Sequence, residues 1–167
     1  MYLEQHVLAS AGQRNVTTIQ RSAQPGQRRG FLCHSHRDRA LALGLQQRLK
    51  EDGLKLYIDW QDSSMPSEPD QETASRIETV IRASDTFLFL ATEHSMSSRW
   101  CPWEIGFADG TKQNSQIIVV PTRDSSGHYH GNEYLKLYRR LETSSASGPI
   151  YWYPTGAYSA GSPVRTL

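Results

Sequence analysis

Cysteine is scarce: only Cys33 and Cys101 occur in 167 residues, too few for the disulfide framework that staples small secreted folds. They fit a reducing compartment instead. No apolar run approaches the roughly 20 residues that a membrane-spanning helix needs. Residues 1–30 are rich in Gln, Arg and Ser and lack the apolar core of a signal peptide. A cytoplasmic location, away from any membrane, is therefore expected. Charge of one sign is also missing. The formal net charge is +1, and nucleic-acid binders need clustered Lys and Arg for phosphate. The densest basic stretch, Arg28-Arg29 with Arg37 and Arg39, is broken by Phe31-Leu32 and reads as strand flanks. A glycine-rich phosphate loop is absent after the first strand, which excludes Rossmann dehydrogenases and P-loop enzymes. No internal repeat is present, and the length suits one domain.

What the chain does contain is an alternation of apolar strands with amphipathic helices. Residues 1–29 read as a weakly ordered arm. Phe31-Leu32-Cys33 is a short buried strand, followed by Asp38 as a helix cap and by Leu41, Ala42, Leu45 and Leu49 at helical spacing. Gly53 stands where a helix C-terminal glycine belongs. Leu54, Leu56 and Ile58 form the next strand. The polar segment Gln61–Gln71, with Pro66 and Pro69, is a loop. Ala74, Ile77, Val80 and Ile81 restore the helical period, Thr86–Ala91 is apolar throughout, and Ser97 or Ser98 caps a helix that runs to about Lys112. Ile117–Val120 is a fourth strand, ended by Pro121. Glu133–Leu141 reads as a helix leading to a fifth strand at Ile150–Tyr153, and residues 155–167 read as a flexible tail. Continuously apolar strands joined by helices define an α/β fold with a parallel sheet covered on both faces.

In such a sheet, ligands bind outside the carboxyl ends of the strands. That rule selects the segments after Cys33 and after Ile58, both unusually polar and aromatic. The sharper clue is Glu104. Trp100, Trp103, Phe107 and Ala108 form an apolar helical stripe, and Glu104 falls within it. A carboxylate there is desolvated or lines a cavity, and aromatic walls around it suit a planar cationic ligand. A structural role for Glu104, at the helix dipole or paired with Arg99, is the competing reading. Cys33, His34, His36 and Cys101 lack metal-ligand spacing, so no metal is expected. Cys101 has no oxyanion-hole motif beside it and reads as packing.

Three segments carry a family resemblance. Phe31-Leu32-Cys33-His34-Ser35-His36-Arg37-Asp38 resembles the first-strand box of TIR (Toll/interleukin-1 receptor) domains. Ser98-Arg99-Trp100-Cys101-Pro102-Trp103-Glu104 resembles the Trp-Cys-x-x-Glu signature of the NAD-cleaving TIR branch. Leu56-Tyr57-Ile58-Asp59-Trp60 and the loop after it look like the family's second strand and BB loop. The resemblance implies a flavodoxin-like five-stranded sheet over residues 30–154. It implies Glu104 as the catalytic residue, and Cys33, His34, Ser35, His36, Asp59, Trp60, Trp100 and Cys101 as contacts to the nucleotide. NAD would be substrate rather than cofactor. The chain is similar to the short bacterial TIR proteins of Thoeris-type anti-phage systems, whose product signals to a separate effector, and TIR–TIR self-association is implied as well.

One carboxylate suffices for that chemistry. Glycosidases generally need two, because an alkoxide leaving group must be protonated. Nicotinamide leaves NAD as a neutral base, so what remains is an oxocarbenium-like ribose that a fixed anion stabilises. Attack by water gives ADP-ribose, and attack by a ribose hydroxyl or an adenine nitrogen gives a cyclic product. Closure of the Gln61–Gln71 loop would favour the second. Two other classes compete: a non-catalytic TIR interaction module, and a nucleoside deoxyribosyltransferase with a glutamate nucleophile.

Overall fold

The computed structural model describes residues 1–13, 28–65, 70–131 and 133–167. Its frame is five parallel strands in the order β3-β2-β4-β5-β7: β2 (Arg28–Cys33), β3 (Leu54–Tyr57), β4 (Thr86–Ala91), β5 (Ile117–Arg123) and β7 (Arg139–Thr143). Side chains alternate across this sheet with the period of two that a strand imposes. Leu32, Leu88, Leu90, Ile118 and Val120 face one layer, and Phe31, Cys33, Phe87, Phe89 and Val119 face the other. The first layer is covered by α1 (Gln5–Gln13) and α2 (Arg39–Glu51), through Leu8, Ala42, Leu45 and Leu49. The second is covered by α3 (Gln71–Ala83) and α5 (Cys101–Thr111), through Ile77, Ile81, Ile105 and Ala108. A short α4 (Glu93–Met96) sits between β4 and α5. The chain is thus an α/β fold of the flavodoxin-like kind. Among the described residues, no helix is long and apolar enough to cross a membrane.

Local signals place most boundaries where the sequence puts them. Gly53 takes φ +86° just past α2 and bonds back to Lys50, a conformation that costs glycine little. Asp70 and Thr73 form a reciprocal capping box that starts α3. The Ser98 hydroxyl accepts from Trp100 and Cys101 backbone N–H groups at 3.2 and 3.3 Å in the turn before α5, whose N-cap is Trp100 without a side-chain cap.

Five expectations about the elements are corrected. The first thirteen residues are no loose arm: β1 (Leu3–Glu4) pairs with the end of β5, and Leu3 and Leu8 are fully buried. Residues 14–27 of that arm lie outside the described residues. Glu133–Leu141 is not a helix, because its helical spacing of Leu135, Tyr138 and Leu141 coincides with a strand alternation that buries Leu141 and Thr143. A 3-10 turn, Glu133–Leu137, precedes β7, which becomes the fifth parallel strand. Ile150–Tyr153 is then β8, antiparallel to β7. The tail is anchored too: β9 (Ser162–Pro163) pairs with β8, and Val164 and Leu167 enter the core. Finally, β5 continues through Pro121, where the Thr122 hydroxyl donates to Ala91 O at 2.6 Å. Beyond it the strand pairs with β1 and the short β6 (Tyr129–His130).

Candidate active site

The strand order reverses around β2: the chain adds β3 on one side and then crosses to β4 on the other. At such a switch point the two connections diverge and leave a crevice. A cleft of about 520 Å³ lies there, with His34, His36, Asp59, Trp60, Trp100 and Glu104 on its walls. Six of the nine candidate residues therefore meet in one place, from three elements far apart in sequence. Cys33, Ser35 and Cys101 do not line it. Cys33 and Cys101 are fully buried behind the cleft, and burial pushes the Cys33 thiol well up. Ser35 shapes the turn after β2, its hydroxyl accepting from Arg37 N at 3.3 Å. Asp38 makes no side-chain cap for α2. Its carboxylate instead accepts from Thr92 Oγ1 at 2.5 Å and faces His94 Nδ1 at 2.7 Å, tying the ends of β2 and β4 together.

Glu104 sits at the centre of the buried face of α5, with Cys101, Ile105 and Ala108. The stripe is turned slightly from the one the tryptophans suggest. Trp103 and Phe107 are half-buried at its flank, stacked on each other 6.1 Å apart, with Arg82 of α3 over the Phe107 ring. Trp100 meets Trp103 edge to face at 5.4 Å and alone of the three reaches the cleft. Burial of Glu104, reinforced by the Cys101 thiol and only partly offset by a hydrogen bond from Cys33, raises its carboxyl from 4.5 to about 8. A carboxyl held neutral in a dry wall responds strongly to any positive charge brought beside it.

The opposite wall is polar and ordered. Trp60 Nε1 donates to His34 Nε2 at 2.9 Å, which leaves His34 Nδ1 as the donor to Leu32 O at 3.1 Å. Both ring nitrogens are then engaged by a neutral imidazole, consistent with burial pushing His34 down. His36 lies parallel to His34, centroids 6.2 Å apart, but its side chain is 67% exposed. Its Nε2 stands 3.3 Å from Asp59 Oδ2. Burial pushes the Asp59 carboxyl up, yet the hydrogen bond from His36 and the nearby imidazoles outweigh it and hold it below the usual range. Asp59 Oδ1 is buried and has no hydrogen-bond partner among the described residues.

Sequence reading misses Arg39. The first residue of α2, it lines the cleft with its guanidinium 5.0 Å from the Trp60 ring; only its place one turn after the first strand could have marked it. Among the described residues, no group of three His, Cys, Asp or Glu side chains is placed to hold a metal ion. Residues 66–69 of the expected Gln61–Gln71 loop lie outside the described residues. Trp60→Phe removes the donor to buried His34 while keeping an aromatic wall, and is expected to cost about 1–3 kcal/mol of stability, read as a lower urea unfolding midpoint at unchanged slope.

A parallel sheet covered by helices on both faces, with a carboxylate-bearing cleft at its switch point, defines an α/β domain of the flavodoxin-like class. The chain belongs to the TIR domain family, whose model matches residues 31–146. A Bacillus cereus (strain MSX-D12) protein named "Probable 3' cyclic ADP-D-ribose synthase ThsB'" is 36% identical over 110 residues, 65% of this chain. The match spans 57% of that relative's own length.

Proposed function

We propose that this protein cleaves the nicotinamide–ribose bond of NAD and releases a cyclic form of ADP-ribose, with Glu104 as the catalytic carboxylate. The observation that carries this reading is the burial of Glu104 in an otherwise apolar helix face that opens into the cleft. The neutral carboxyl of the empty site becomes an anion when a pyridinium arrives, because the ligand's positive charge offsets the cost of burial. As the C–N bond breaks, the positive charge moves from nicotinamide to the ribose carbon, and the Glu104 anion stays beside it. Trp100 and Trp60 supply flat faces for the rings, and Arg39 supplies positive charge for the pyrophosphate. The leaving group departs as a neutral base, so the reaction calls on no cofactor.

The relative's printed name supports a cyclic product. The 3' linkage in that name has a ribose hydroxyl of the same molecule as attacker, in place of water or an adenine nitrogen. Such a small diffusible product suits a signal read by a separate effector in anti-phage defence, inside the cytoplasm where NAD is available. Self-association of TIR domains is part of the same proposal. The experiment is incubation of the purified protein with NAD, followed by chromatography and mass analysis. Nicotinamide is expected together with a product one water lighter than ADP-ribose. Free ADP-ribose alone would make the protein a hydrolase, and no nicotinamide in any assembly state would leave a TIR interaction module.

The pH dependence follows from the Glu104 proton. Only the anion stabilises the ribosyl cation, and in the free protein the group gives up its proton at about pH 8. The value of kcat/KM is therefore expected to rise about tenfold per pH unit below that point and to level off above it. A flat profile across neutral pH would contradict the role.

A further inference from the structure

Glu104 can stabilise a ribosyl cation as an anion beside it, and a hydroxyl that attacks that cation must lose its proton to a base. The cleft holds two imidazoles. His34 is excluded from proton transfer because each ring nitrogen is already engaged, one by Leu32 O and the other by Trp60 Nε1. His36 differs in every respect. Its side chain is largely exposed to the cleft, Nε2 faces Asp59 at 3.3 Å, and Nδ1 has no hydrogen-bond partner among the described residues.

We infer that His36, oriented by Asp59, is the general base that takes the proton from the attacking ribose hydroxyl. The pairing follows the logic of a carboxylate–imidazole dyad: the carboxylate fixes the proton on one ring nitrogen and leaves the other as a lone pair for the substrate. In the step, the C–N bond to nicotinamide breaks and its electron pair leaves with the neutral base. The hydroxyl oxygen forms the new C–O bond, and its proton passes to His36 Nδ1 and then to solvent. No electrons are exchanged with any other partner.

The surroundings favour this assignment. Asp59, in contact with His36, raises the imidazole above its ordinary value, against burial and the Arg39 charge, with Glu104 adding to the rise. His34 lies parallel on the other side and stays neutral. A base strengthened in this way accepts a proton more readily in the transition state. Because the ring is mostly exposed, replacing it leaves the core intact.

This inference rests on the NAD-cleaving reading, and one experiment separates the two. A neutral pyridine such as 3-acetylpyridine can replace nicotinamide on the ribose, and its ring nitrogen attacks without any proton to lose. Wild type, His36→Gln and Glu104→Gln are each given NAD with and without this pyridine. His36→Gln is expected to lose about 100-fold in cyclic product, to keep pyridine exchange within about threefold of wild type, and to regain cyclisation with added imidazole. Glu104→Gln is expected to lose both reactions. Equal loss of cyclisation and exchange in His36→Gln, or no loss of either, would overturn the base assignment while leaving the function standing. Absence of nicotinamide release by wild type would overturn the function and this inference with it.

Discussion

Glu104→Gln is expected to yield a protein that is inactive on NAD yet more stable than the parent above neutral pH. The sign follows from where the proton sits. In the unfolded chain the carboxyl titrates near its ordinary 4.5, and in the folded protein it holds its proton to about 8. Between those values the native state binds one proton more than the unfolded state, so stability falls as pH rises, by about 1.4 kcal/mol per pH unit. Over the whole window the loss is on the order of 5 kcal/mol. The stabilising effect of the buried neutral acid is complete below 4.5 and gone once pH passes about 8. Glutamine has the same shape and no proton to lose, so the variant escapes the slope. Thermal unfolding near pH 9 should place it roughly 10 °C above the parent, with little difference near pH 5. An equal shift at both pH values would mean that the carboxyl is not the source. Gaining stability by removing the reactive group is the trade that functional sites commonly show.

Gly44→Ala is expected to detach or unfold the N-terminal helix. A Cβ at Gly44 of α2 would come within 1.8 Å of Leu8 O and 2.5 Å of Leu8 C, both backbone atoms of α1. Neither can turn aside as a side chain does. From the other helix, a Cβ at Gly12 would meet Ala40 O at 2.4 Å. The two glycines let the helix backbones touch, which is why α1 lies flat enough to bury Leu8 completely. Alanine is the better helix former by about 1 kcal/mol, yet overpacking of this kind costs about 3 kcal/mol or more. Amide exchange checks the outcome: protection across Gln5–Gln13 should collapse while β4 stays protected. Unchanged protection in α1 would refute the close crossing.

The same crossing shows why part of the fold escapes a reading of residues alone. Leu3, Leu8 and Ala11 are too few and too scattered to announce an ordered segment, and β1 has only two residues. Their order comes from partners some 35 to 120 positions away, such as Gly44 and Thr122. By contrast, Phe87-Leu88-Phe89-Leu90 is apolar on both faces, and nothing but a covered parallel strand accommodates that pattern. The stretch Glu133–Leu141 misleads because Leu135, Tyr138 and Leu141 satisfy a helical period by coincidence. Competition from β5 for a parallel neighbour decides the outcome.

In the cleft, the residues that stand next to strand ends or inside a helical stripe were visible beforehand: His34, His36, Asp59, Trp60, Trp100 and Glu104. Their mutual arrangement was not. Which histidine is sealed and which is free depends on a hydrogen bond between Trp60 and His34 across 26 positions. The raised carboxyl of Glu104 depends on burial beside Cys33 and Cys101, which the family resemblance implied as contacts to the nucleotide, while the residues themselves read Cys101 as packing. Arg39 carried no motif at all.

Nicotinamide release from NAD, measured for wild type and Glu104→Gln at matched concentration and under conditions that promote self-association, tests the central claim most directly. Release by wild type is expected, and about a hundred- to a thousandfold less by the variant, on the order of the effect of removing a charge-stabilising group from an active site, with both proteins folded. Equal release by the two would contradict the assignment of Glu104, and no release by either would contradict the cleavage of NAD itself.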